Sequence, residues 1–232
     1  MSTPDGKIVA WGDLIQIADG DKVTSHLVFR FKDGSVDEET TVFTQQGEFK
    51  LVSDHHIQKG PFFPHPIDLA IDVASGQVTV KSVGKDGKEV DDTEHMDMPA
   101  DLYNGLVNSV VKNIKPDTAE TKISMIVPTP KPRLVTLAIS PRGEDSFFMA
   151  GMRHKALAYD IKIELGGVVG VVAKFVGRQP PDVHIWILGG ELPTFLKDDS
   201  QSFEDGPILT VALASPSWPR RMHPAAKPSA SH

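Results

Sequence analysis

Nine histidines occur in a chain of 232 residues that has no cysteine. Three of them, His55, His56 and His65, fall in one stretch, SDHHIQKGPFFPHP. Histidine with carboxylate is the usual ligand set of catalytic zinc and non-haem iron, and without thiolates it is the transition-metal set open to this chain. The spacing constrains that reading. His55 and His56 are adjacent, so on a strand they face opposite sides and at most one enters an interior site. His65 lies between two prolines and has to fold back from a loop. His95 shares a face with Asp97 if its strand continues that far, and His184 stands in the same relation to Asp182. One expectation is therefore a zinc ion held by His55 or His56, His65, His95 and His184, whose bound water attacks an ester or phosphoester. No HExxH or HxH pattern accompanies it. The competing expectation for the same histidines is loop and strand-end side chains, solvated or bonded to neighbouring acids.

Other chemistries have weaker signatures. There is no GxSxG elbow and no SxxK arrangement of the β-lactamase type, and Ser53-Asp54-His55 holds triad letters as sequence neighbours, whereas a triad needs residues converging from separate segments. The glycines of LGGVVG do not match GxGxxG. Glu94, Asp97, Asp182 and Glu191 sit near strand ends, where glycosidase carboxylates often lie, but solvation explains them equally. Trp186, within VHIWIL, reads as core. Phe62 and Phe63, on a proline-bounded loop, either anchor it or line the mouth of a ligand cavity.

The elements that must position these residues are mostly strands. Alternation with turn punctuation predicts strands at 8–17, 26–32, 40–43, 48–53, 69–73, 77–83 and 89–96. Asp33-Gly34 is a strong hairpin signal. Apolar residues at Leu102, Leu106, Val107, Val110, Val111 and Ile114 follow one helical face and predict a helix over 101–114, with Asp97 as N-cap, Pro99 in its first turn and Pro116 as its stop. Strands return at 122–127, 134–140, 156–164, 183–188 and 208–214, with an acidic loop before the last. The nearly continuous apolar segment 165–177 reads as a buried strand or wall, and 216–232 as a disordered proline-rich tail after one β-rich domain at 1–215.

Composition narrows the function classes. A net charge of -7 and a pI near 5.7 speak against a nucleic-acid-binding surface. The absence of cysteine removes disulfides and thiolate nucleophiles, and no apolar run reaches the length of a transmembrane segment. MSTPDGK suits a start left by a removed leader, which would place the protein in the periplasm or outside, as well as it suits a cytoplasmic terminus. Nothing in the sequence sets an oligomeric state.

Over GGVVGVVAKFVGRQPPDVHIWILGGELPTF, with HMDMPADLYNGLVNSVVKNI upstream, the chain resembles a group of uncharacterised bacterial proteins, many of them exported. In element order, many strands with a short helix between, it is similar to the curved-sheet half-barrels of lipoprotein-carrier-like domains. That likeness implies an apolar concavity able to hold an acyl chain. The expectation is thus a mainly β fold, a curved antiparallel sheet or incompletely closed barrel with one amphipathic helix on its concave face. It would bind an apolar or amphipathic small molecule, with Phe62, Phe63, Leu106, Val110, Val171 and Trp186 shaping the cavity.

Overall fold

A computed structural model describes residues 1–83, 89–129, 131–149, 152–164 and 180–214. Its thirteen strands, all paired antiparallel, make two open sheets. The first is a meander of seven in sequence order: β1 (Ala10–Asp19), β2 (Lys22–Phe31), β3 (Val36–Gln46), β4 (Glu48–Lys59), β5 (Ile67–Asp72), β6 (Gln77–Val83) and β7 (Glu89–His95). The second runs β8 (Thr121–Val127), β9 (Arg133–Met149), β10 (Met152–Glu164), β11 (Val183–Leu188), β12 (Thr194–Gln201) and β13 (Ile208–Ala212), again in sequence order. The fold is mainly β, its sheets do not close, and the described residues include one short α-helix. Segment 165–177 with Val171, and the tail 216–232, lie outside the described residues.

Local chemistry accounts for the meander. Asp19 pairs with Lys22 across a two-residue turn in which Gly20 takes φ 63°, the positive value such tight hairpins require. Alternation then sorts each strand into two faces. On β3, Thr41 and Phe43 are buried. On β4 the parity changes, because the β3–β4 register shifts between Val42 and Phe43: Leu51 faces Phe43, but Asp54 faces Thr41 and His56 faces Glu39. One extra residue on β4 therefore turns the even-numbered side chains, Asp54, His56 and Gln58, inward.

The predicted helix at 101–114 is shorter and differently built: a 3-10 turn at Asn104–Leu106 runs into α1 (Val107–Val111), with no side-chain cap on either. The preceding residues serve the edge of β8 instead. Tyr103 N–H donates to Ser124 O and Ser124 N–H to Asp101 O, both at 2.9 Å. Asn104 behaves like one more strand residue, its amide donating to Ile126 O at 2.8 Å and accepting from Ile126 N–H at 3.0 Å. Asp97 and Asp101 thus cap nothing; the Asp101 carboxylate accepts from Ser124 Oγ. The apolar stripe is still used, divided between two cores. Leu102 and Leu106 join Val23, Phe43, Leu51, Leu69, Ile71, Val78 and Val80 of the first sheet. Val111, with Val107, Val110 and Ile114 beside it, packs on Ile139, Tyr159, Ile161 and Ile187 of the second.

A third cluster joins the sheets elsewhere, with Ala10, Phe31, Phe63 and Leu209 at its centre. Beside it Ser2 exchanges two backbone hydrogen bonds with Thr210, at 2.9 and 2.8 Å. The acidic loop expected before the last strand is partly β12, whose Asp198 points inward and is buried. No helix among the described residues is long and apolar enough to cross a membrane.

Candidate functional site

The inner face of the first sheet holds two features, an open cleft beside α1 and a buried polar cluster next to it. The cleft forms where the turn between β3 and β4 stands away from the residues around α1. Phe49, Tyr103, Val110 and Ile114 supply its apolar lining, and Gln45, Glu48, Asn113, Lys115, Thr118 and Thr121 its polar lining, around a volume of about 490 Å³. A smaller cleft of about 220 Å³ adjoins it through the shared residues Gln45, Phe49 and Asn113, and reaches Gln16, Val23, Ser109 and Lys112. Phe43 and Phe49 meet edge to face, with centroids 5.8 Å apart, and stiffen the wall between them. Burial lowers the pKa of Lys112. No carboxylate among the described residues pairs with its ammonium, which faces the smaller cleft as an uncompensated charge.

The polar cluster follows from the register of β3 and β4. The pairs Asp37–Gln58, Glu39–His56 and Thr41–Asp54 share the inner face. His56 Nε2 lies 2.8 Å from Asp37 Oδ1, and Gln58 donates to the other Asp37 oxygen at 3.0 Å and to Ser202 O, in the loop just after β12, at 3.1 Å. Thr41 Oγ1 donates to Asp54 Oδ1 at 2.7 Å, and the Gly105 N–H supports the same carboxylate. Asp54 Oδ2 and Gln58 Oε1 are buried without a partner. Only glycine fits at 105. A Cβ there would strike Thr41 Oγ1 and stand 2.9 Å from Asp54 Oδ1 and 3.0 Å from Glu39 Cδ.

The electrostatics of the cluster are lopsided. Burial, reinforced by the Asp54 charge, pushes Glu39 up to about 7. Burial also raises Asp54, against the pull of the Thr41 hydroxyl. Burial works against the charge on His56, but the Asp37 hydrogen bond and the charges of Glu39, Asp37 and Asp54 outweigh it and push this histidine up to about 9. At neutral pH the imidazolium thus stands among carboxyl groups that resist full ionisation.

The residues singled out by type and spacing are scattered across this frame. Val110 lines the larger cleft. Leu106 is fully buried in the core beneath. Phe62 and Phe63 line neither of these two clefts; they anchor their loop by packing on Phe31, with centroids 4.4 and 5.3 Å away, and on Phe203. Trp186 is not core. Ile185 and Ile187 take the inward positions of β11, which leaves the indole on the outer face, 3.7 Å from Lys197 Nζ and donating to Asp145 at 2.7 Å.

The histidines do not converge. His55 faces outward against Asp68 at 2.8 Å, and His184 pairs with Asp160 of the second sheet at 2.7 Å. His56 belongs to the inner cluster, His65 lies in the loop after β4, and His95 ends β7, where its ring crowds Gly76. Among the described residues no group of three or more histidines and acids is placed to hold a metal ion. Ser53 and His55 face away from Asp54, so those three neighbours form no triad. Glu39, Thr41 and Gly105 escaped the sequence reading, which met Asp54 only as a triad letter; the signal for Glu39, Thr41 and Asp54 was the shared inward parity of β3 and β4, visible only once the bulge is known. Comparison with known proteins adds no constraint, since no family model, curated protein or solved structure matches the chain.

Proposed function

We propose that this protein binds an amphipathic small molecule with an anionic head, such as a medium-chain carboxylate, in the paired clefts beside α1. The observation that carries the reading is the 490 Å³ cleft, with Phe49, Tyr103, Val110 and Ile114 on its apolar side and a polar rim opposite. That size lies within the range usual for small-molecule sites. The apolar chain would lie against those four side chains. The carboxylate would meet Lys112, whose half-buried ammonium has no counter-ion among the described residues and gains most from one.

Titration with a fluorescent fatty acid, run beside the matching fatty alcohol, tests it. The expected result is saturable binding of one acid per chain, with the alcohol weaker. Lys112→Met should reduce the preference for the acid by roughly tenfold, the worth of one charge-assisted hydrogen bond. Absence of saturable binding by either compound would end the proposal. The zinc-hydrolase alternative draws no support from the positions of His55, His56, His65, His95 and His184.

A further inference from the structure

Two open sheets have four edges, and three of them carry a device that blocks further pairing. The β8 edge is covered by residues 101–104, through the Leu102–Ser124 bridge and the Asn104 side chain. β13 is short and is paired by Ser2. β7, EVDDTEH, carries four acids in seven residues, which repel a second copy of itself.

Among the described residues, β1 has no such protection beyond its first residue. The N-terminal ammonium of Met1 occupies Ala10 O, and no described residue pairs with the edge from Trp11 to Asp19. Lys32 N–H donates to Val9 O, and Asp19 and Lys22 close a two-residue turn. Hydrogen bonding alternates along an antiparallel strand, so the odd residues of β1 face β2. The N–H and C=O groups of Gly12, Leu14, Gln16 and Ala18 point outward. Both faces of the strand are apolar as well as bare: Trp11, Leu14, Ile15 and Ile17 are 59, 60, 55 and 65% exposed. Single exposed apolar residues are ordinary, but four within seven positions of an unpaired edge are the pattern that natural sheets avoid.

We propose that β1 pairs antiparallel with β1 of a second copy about a twofold axis through Leu14, so that the first sheets of two chains run together. Self-pairing is favoured because the strand is complementary to itself in one register. A twofold perpendicular to the sheet keeps each side chain on its own face, so the axis must pass through a residue. Centred on Leu14, it sets Trp11 opposite Ile17 of the partner and Ile15 opposite Asp13, whose charge Arg30 already meets at 3.5 Å. Centred on Ile15, it sets Trp11 against Asp19 and Ile17 against Asp13. Centred on Asp13 or Gln16, it brings two aspartates face to face, and like charges directly opposite are destabilising. Neither the Leu14 nor the Ile15 register opposes like charges, but the Ile15 register joins only its central isoleucines, whereas the Leu14 register joins Leu14 to Leu14 and Trp11 to Ile17 on both sides of the axis. It also places the outward-pointing groups of Gly12, Leu14 and Gln16 opposite one another for hydrogen bonding.

Sedimentation velocity over a micromolar concentration series, together with directed cross-linking, tests this. The full chain should sediment as a dimer. Ile17→Lys, on an exposed position and therefore tolerated by the fold, should weaken the dimer by roughly thirtyfold or more, with its circular dichroism unchanged. Because the chain has no cysteine, Asp13→Cys and Ile15→Cys proteins can be mixed under mild oxidation. Facing non-hydrogen-bonded pairs stand about 4.5 Å apart at Cα, within disulfide reach. The mixture should give a disulfide-linked dimer, and each variant alone far less. A monomer throughout the series would overturn the proposal, whether another segment of the chain or a foreign strand covers β1. A dimer that Ile17→Lys leaves intact, or a mixture that does not cross-link, would overturn it by placing the interface elsewhere.

Discussion

Replacing Glu39 with glutamine should stabilise the protein in alkaline solution and change it much less in acid. Glu39 is raised from 4.5 to about 7, chiefly by burial and then by the Asp54 charge. A carboxyl whose folded value lies above its unfolded one binds its proton more tightly in the native state, so its contribution falls as pH rises from about 4.5 through 7. A displacement of about 2.5 pH units, at about 1.4 kcal/mol each, corresponds to about 3 kcal/mol. Glu39 keeps part of its surface in solvent, and screening reduces the figure to ~2 kcal/mol. His56 slopes the same way: with its folded value near 9, its contribution is complete below 6.5 and is lost as pH rises through 9. Buried Asp198, raised to about 7, adds to the trend. The wild type should therefore be more stable at pH 5.5 than at pH 8.5. Glu39→Gln removes one carboxylate charge and puts a neutral amide beside the Asp54 carboxylate, whose Oδ2 has no partner. Thermal melts at the two pH values read the outcome. The variant should melt about 4–8 °C above wild type at pH 8.5, with a smaller difference at pH 5.5. A variant that loses stability equally at both values would refute the reasoning, since Glu39 would then be an ionised, satisfied partner.

Other substitutions test the framework that holds the clefts. Asn104→Leu keeps the bulk but strands the N–H and C=O of Ile126 in the core, and should cost about 2–4 kcal/mol in chemical denaturation. Phe63→Ala should cost about 3–4 kcal/mol, because Phe63 is buried in the cluster that joins the sheets, and should leave ligand affinity unchanged. Trp186→Ala, by contrast, should cost no more than about 1 kcal/mol, the worth of an exposed cation–π contact, as read by the same denaturation curves.

The physical reasons for what could and could not be read from the sequence are local. Alternation identifies most strands because half-buried antiparallel strands expose every second residue, and it rightly sends His55 and His56 to opposite faces. Which of them faces inward depends on one extra residue in β4, and the letters around Leu51 and Val52 carry no mark of that bulge. Leu102 and Leu106 have helical spacing, but a strand-edge residue followed by a 3-10 turn delivers the same pair to one core. In VHIWIL every residue is apolar or aromatic apart from the histidine, so parity cannot be assigned until β10 and β12 pair on either side. TFLKDDSQ reads as a loop because it is charged, although Asp198 is the only one of its charges that is buried. The clefts are harder still, since they arise from the distance between the β3–β4 turn and α1, two elements some sixty residues apart.

The most direct test is to locate the ligand by methyl NMR during a titration with dodecanoate. The account predicts that Val23, Val110 and Ile114, which line the two clefts, shift together on one binding curve, while Leu209 in the aromatic cluster and Ile187 in the second core stay still. Shifts centred on Leu209 or Ile187, or none at all at saturating ligand, would contradict it.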